Sequence, residues 1–251
     1  IPNLSSQPWP KIVYPPLIKG KSLHDQILEK DILINPPYQS YASILRFFNE
    51  AATEPSVEEI YVTLYRVASD SKIVNAFISA AKNGKKVFVL VELKARFDEA
   101  NNIKWANKMK DAGVDIMYSV TALKVHAKIA LVKRKVGLRS VYTGLFSTGN
   151  FNETTANFYT DHVLMTAHQE LLREMELVFM FLAKRVKPTD ANLIRFKFLL
   201  VAQFNLLPRF ITLIDREIEN VNNGKSASIV IKLNNLEEKV LISKLYEASQ
   251  A

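Results

Sequence analysis

The segment Lys124-Val125-His126-Ala127-Lys128 sets an imidazole two residues ahead of an ammonium group. On a strand, that spacing turns both to one side of the sheet. After two strand-like runs comes Ser147-Thr148-Gly149-Asn150-Phe151-Asn152, a turn able to bring amide donors and backbone N–H groups back to the same place. The chemistry implied is attack by the His126 imidazole on phosphorus, with Lys128, Asn150 and Asn152 holding the phosphoryl oxygens. A single histidine on a strand is more often a packing residue. The pairing of His-x-Lys with Gly-Asn-x-Asn is what reverses that balance. Lys94 alternates with Arg96 and either extends an anion groove or is a solvated surface lysine. Glu92 and Asp161 are candidates to orient the imidazole through its other nitrogen, against ordinary capping or ion-pair roles. His24, His162 and His168 fit no such pattern and read as ordinary residues.

The elements that must position these groups alternate. Ser22 to Lys30 and Ser40 to Ala52 read as helices around the turn at Asn35-Pro36-Pro37-Tyr38. Ile60 to Tyr65, Val87 to Val91 and Val114 to Tyr118 read as strands. Between them lie helices over 71–83, with Ser71 as N-cap and Gly84 as stop, and over 99–112. Such alternation implies right-handed crossovers and a largely parallel sheet up to residue 118. The pattern then changes. Lys128 to Lys133 and Arg139 to Thr143 read as neighbouring strands about a basic turn, and His162 to Thr166 as another. Helices follow over 169–184, 209–222 and 236–248, with a strand over 227–233. The proline-rich first 21 residues read as a linker, residues 22–205 as one domain, and 206–251 as the opening of a second, similar domain cut short.

Composition narrows the classes. Hydrophobic residues make up 48% of the 251 and charged residues 23%, a globular balance able to build a core. The absence of cysteine excludes a disulfide framework, a thiolate zinc site and a cysteine nucleophile. No apolar run reaches the roughly 18 residues of a membrane span, and the first residues carry no signal-peptide pattern. A net charge of +8 favours anionic partners: nucleic acid, an acidic membrane face or phosphate-rich substrates.

The His-x-Lys and Gly-Asn-x-Asn blocks resemble the phospholipase D superfamily, whose motif has an aspartate where this chain has Lys133 and a serine where it has Asn150. Those departures remove two elements of a diesterase. They match polyphosphate kinase, which the chain resembles along nearly its whole length after the proline-rich start. The resemblance is carried, in order, by Thr63-Leu64-Tyr65-Arg66, by 80–87, by 91–99, by 123–128, by Thr148-Gly149-Asn150-Phe151-Asn152 and by Tyr159-Thr160-Asp161. Residues 35–40 and 245–251 add weaker matches, the former with asparagine and proline where the family usually has two histidines.

The resemblance implies an α/β fold, a phospholipase D-like mixed sheet flanked by helices. It implies that His126 becomes phosphorylated during transfer between ATP and polyphosphate. Arg66 and Arg96 match the arginines assigned to the family's Mg²⁺ site. Because guanidinium only donates, they read as clamps on phosphate oxygens that the metal also binds. Tyr159 matches a nucleotide-contacting tyrosine. ATP, ADP and inorganic polyphosphate are the expected partners and nucleic acid is not. A homo-oligomer is expected for the full-length enzyme, in the cytoplasm, with peripheral association at the inner membrane face left open. Two other readings stay open: a phospholipase D-type phosphodiesterase, and a non-catalytic polyanion-binding module.

Overall fold

The computed structural model describes residues 10–16, 18–92, 99–119, 124–233 and 235–251. These divide into two units, Ile1–Lys187 and Pro188–Ala251; the change of domain read from the sequence lay later, at 205/206.

The first unit carries helices α1 (Leu23–Glu29), α2 (Ala42–Thr53), α3 (Lys72–Lys82), α4 (Glu99–Asp111) and α5 (Gln169–Ala183). Its strands are β1 (Ile32–Ile34), β2 (Val57–Leu64), β3 (Lys86–Val91), β4 (Asp115–Tyr118), β5 (Lys128–Val136), β6 (Arg139–Ser147) and β7 (Val163–Thr166). They form one seven-stranded sheet in the order β1-β7-β6-β5-β2-β3-β4. The pairs β2·β3 and β3·β4 are parallel, as the helical crossovers α3 and α4 require. The remaining pairs are antiparallel. The fold is therefore the expected mixed α/β sheet, and the parallel character read from the first half stops at β2. The strand β1 was missed, because three residues offer too short a pattern to distinguish it from a loop.

Local rules explain the elements. The Ser71 hydroxyl caps α3 by accepting from the Val74 N–H at 3.2 Å, and Gly84 ends the turn that follows at φ +79°. The strands β5 and β6 pair up to Val136 and Arg139, leaving the two-residue turn Gly137-Leu138, with Gly137 at φ +62°. On one face of the sheet Phe47, Phe48 and Phe77 pack edge to face. Phe151, from the Gly-Asn-Phe-Asn turn, joins them with its ring 5.6 Å from that of Phe48. The core thus anchors the turn that carries Asn150 and Asn152. On the other face α5 lies so close that a Cβ on Gly144 would stand 2.4 Å from a Leu172 methyl.

The second unit contains α6 (Leu206–Asn222) and α7 (Lys239–Gln250), with Lys244 of α7 ion-paired to Asp215 of α6. The strand expected over 227–233 does not form, and Val230 is 95% exposed. An extended run becomes a strand only when a second strand takes its backbone groups in a ladder, and among the described residues no strand pairs with this run; the Ser228 N–H donates instead to the Glu217 carboxylate at 3.4 Å. No helix among the described residues is long and apolar enough to cross a membrane.

Candidate active site

Of the groups singled out by sequence, Arg66, Glu92, His126 and Lys128 gather at the carboxyl ends of the parallel strands, where open α/β sheets place ligands. Tyr65 and Arg66 directly follow β2, Glu92 follows β3, and His126 lies just before β5 rather than within it. Two side chains hold that approach. The Thr63 hydroxyl donates to the Ala127 carbonyl at 2.7 Å and accepts from the Ile129 N–H at 3.1 Å. The Glu92 carboxylate, only 1% exposed, accepts from the Val125 N–H at 2.9 Å. Glu92 therefore grips the backbone one residue ahead of the histidine.

His126 is exposed, and neither ring nitrogen has a hydrogen-bond partner among the described residues. Burial first, and then the charges of Lys128 and Lys124, push its pKa below the ordinary imidazole value. Near neutral pH its uncharged form is favoured, with a lone pair on one ring nitrogen. Lys128 is only 6% exposed and donates to the His126 carbonyl at 2.6 Å. Burial is the chief cause that brings its pKa down to about 8; Lys124 lowers it further and Asp161 opposes both.

The residues 65–68 are fixed by four side chains. Asn102 donates to the Tyr65 carbonyl at 2.9 Å, Asn101 to that of Val67 at 2.7 Å and the Trp105 indole to that of Ala68 at 3.0 Å. Asn152 adds a longer contact, 3.4 Å, to the Arg66 carbonyl. Its own Oδ1 accepts from the N–H groups of Thr154 and Thr155 at 3.0 Å. Asn152 accordingly braces the loop that bears Arg66. Asn150 has a buried Oδ1 with no partner among the described residues.

Asp161 closes the other side. Its Oδ1 accepts from the Thr148 hydroxyl at 2.8 Å, and its carboxylate fills the space a Cβ on Gly149 would need, 2.0 Å from Oδ2. Its backbone is held too, the N–H by Pro36 and the carbonyl by Asn35. Tyr159 is 61% exposed two residues before Asp161. Lys94 and Arg96 lie outside the described residues.

Of the histidines left without a role, His24 is fully buried between the Thr143 hydroxyl and the Phe47 carbonyl, and His168 caps α5 through Leu171. Lys133, at the phospholipase D aspartate position, sits between Glu59 and Glu176 at 3.7 and 3.8 Å. Sequence reasoning passed over Tyr65, Lys124, Asn101, Asn102 and Trp105. Lys124 had a signal, the period of two with His126 and Lys128; an Asn-Asn pair opening a helix was a weaker one. Tyr65 had none.

Among the described residues no group of three or more His, Cys, Asp or Glu could hold a metal. The donors that converge are cationic, which suits a metal arriving on phosphate oxygens rather than one caged by carboxylates.

An α/β domain with an imidazole among cations at the strand carboxyl ends is suited to anionic ligands. Two family models match, polyphosphate kinase C-terminal domain 1 over residues 22–188 and C-terminal domain 2 over 199–251. The polyphosphate kinase of Klebsiella pneumoniae is 41% identical over 249 residues, 99% of this chain and 36% of that protein. That of Escherichia coli K12 is 39% identical over 251 residues, again 36% of its length. The crystal structure of polyphosphate kinase from Porphyromonas gingivalis matches with a TM-score of 0.81 at 44% identity, covering 94% of this chain and 39% of that one. The chain belongs to the polyphosphate kinase family, and it spans about a third of the length of the curated relatives it matches.

Proposed function

We propose that this chain supplies the phosphohistidine half-reaction of a polyphosphate kinase, moving the terminal phosphate of ATP reversibly onto inorganic polyphosphate. The observation that carries the reading is the placing of His126, neutral near pH 7, among Lys124, Lys128 and Arg66 in a member of this family. The His126 nitrogen attacks the terminal phosphorus of ATP: an N–P bond forms, the P–O bond to the departing ADP breaks, and ADP leaves with that electron pair. The terminal oxygen of polyphosphate then attacks the phosphohistidine, and the N–P electrons return to the imidazole. Lys128 and Asn150 stabilise the equatorial oxygens of the transferred group, and Asn152 sets the Arg66 loop. Arg66, with Arg96 and Lys94, clamps the phosphate chain, and Tyr159 contacts the nucleotide. Arg66 and Arg96 would hold phosphate oxygens that also carry Mg²⁺, and the metal when bound would supply neutralisation of charge on the phosphates.

Residues 22–205 act in this reading as one phospholipase D-like unit, with 206–251 opening a second. In this reading the full-length protein is a homo-oligomer in the cytoplasm. The diesterase alternative draws no support from Lys133, which is engaged by two glutamates.

Incubating the full-length protein with γ-labelled ATP tests the reading. The label should be stable to alkali, labile to acid and absent in His126→Ala, while His162→Ala and His168→Ala keep it. A labelled His126→Ala protein would refute the assignment.

A further inference from the structure

Tyr65 has no part in the scheme above, yet the charged groups of the site surround it. Its ring meets the His126 imidazole edge to face, with centroids 5.4 Å apart and planes at 78°. The Lys128 and Lys124 ammonium groups lie 5.5 and 5.6 Å from its centroid, and the Arg66 guanidinium 5.9 Å. Its backbone carbonyl is fixed by Asn102, which is 1% exposed. The Tyr65 hydroxyl makes no hydrogen bond among the described residues. The contacts Tyr65 makes with these groups are made by its ring.

We propose that the Tyr65 ring is a positioning element of the phosphotransfer site, orienting the His126 imidazole and gathering Arg66, Lys124 and Lys128 for a phosphate-rich substrate. Three cations this close repel one another, and something must hold them together before the substrate arrives. A carboxylate would do so by occupying their N–H donors, and it would repel phosphate. An aromatic face attracts cations through its quadrupole without itself accepting from their N–H groups. Of the nearby carboxylates, Glu92 accepts from the Val125 N–H and Asp161 from the Thr148 hydroxyl, while Asp161 also acts through space on Lys128. The edge-to-face contact also restricts the imidazole, whose nitrogens are otherwise unheld. Because α4 and Asn152 grip the loop by its backbone, the ring is placed independently of its own contacts.

The inference rests on the phosphotransfer reading, so its test needs a readout besides turnover. In the full-length protein, the rate of phosphohistidine formation from γ-labelled ATP is measured for Tyr65→Phe, Tyr65→Leu and Tyr65→Gln. In parallel the His126 ring resonances are followed in histidine-labelled protein, identified by their loss in His126→Ala. Leu and Gln should each lower the rate by about tenfold or more, as expected when weak attractions to three cations are lost together. They should also abolish the ring-current shift at His126. Phe should rescue the shift and most of the rate. If Tyr65→Leu does not fold, Tyr65→Gln, with similar reach and no ring, decides. Unchanged rate and shift in the ringless variants would overturn the proposal. So would Phe failing as badly as Leu, which moves the role to the hydroxyl. A parent protein that takes no label refutes the phosphotransfer reading alone, and the His126 resonance then still decides what Tyr65 holds.

Discussion

Replacing Gly149 by alanine puts a Cβ 2.0 Å from Oδ2 of Asp161, 2.3 Å from its Cγ and 2.8 Å from Oδ1. The whole carboxylate stands in the way, so something must move. The Asp161 backbone is held on both sides, its N–H by Pro36 and its carbonyl by Asn35. Relief therefore falls on the side-chain torsions, and the 2.8 Å bond from Thr148 breaks. An off-rotamer side chain costs about 0.5–1.5 kcal/mol, and losing a hydrogen bond to a charged acceptor at a part-exposed site adds roughly 1 kcal/mol. The sum is on the order of 2 kcal/mol, or a fall of about 4–8 °C in melting temperature for a domain this size.

The substitution also reaches the chemistry. Asp161 is the group that raises the Lys128 pKa against burial and Lys124, which together leave it at about 8. With the carboxylate displaced that pKa falls further, so Lys128 loses its charge at lower pH. The alkaline limb of the pH–rate profile for phosphoenzyme formation should move down, with the acid limb unchanged. Thermal melts and quenched-flow labelling from pH 6 to 9 measure both effects. A Gly149→Ala protein with parental melting temperature and alkaline limb would refute the close-approach argument.

Arg66→Lys keeps the charge but loses the two-pronged donor geometry, and phosphoenzyme formation should fall by roughly 10²-fold; a near-parental rate removes the clamp. His24 is pushed down to about 4 from its ordinary 6.5, chiefly by burial. The unfolded chain therefore takes up a proton between those values while the native state does not. The stability this confers is fully present above about pH 6.5 and is lost as pH falls toward 4, on the order of 3 kcal/mol in total. Urea midpoints at pH 7 and pH 5 should diverge in the parent and much less in His24→Gln, and equal divergence refutes the assignment. The 251-residue chain alone should melt cooperatively and bind polyphosphate weakly, with affinity falling as salt rises. It should make no polyphosphate from ATP and Mg²⁺, and His126-dependent synthesis by it would show that these residues suffice.

Short-range patterning determined much of this protein. The caps and stops of α3, the buried run of β3 and the parallel connection of β2 to β4 through two helices were all legible, because each depends on residues within one or two turns of chain. So was the grouping of His126 and Lys128, although the imidazole proves to lie just ahead of the strand. What the sequence could not give depends on pairing and packing across long separations. The run 227–233 has strand composition, but no strand among the described residues pairs with it. The close approach of Asp161 to Gly149, and of Tyr65 to His126 across 61 positions of chain, exists only because the sheet brings the strand ends together. Tertiary structure likewise spent the amide of Asn152 on a backbone carbonyl and buried Lys128. Burial sets the charge of an ionisable group through desolvation, a property of the surrounding volume that no sequence spacing encodes.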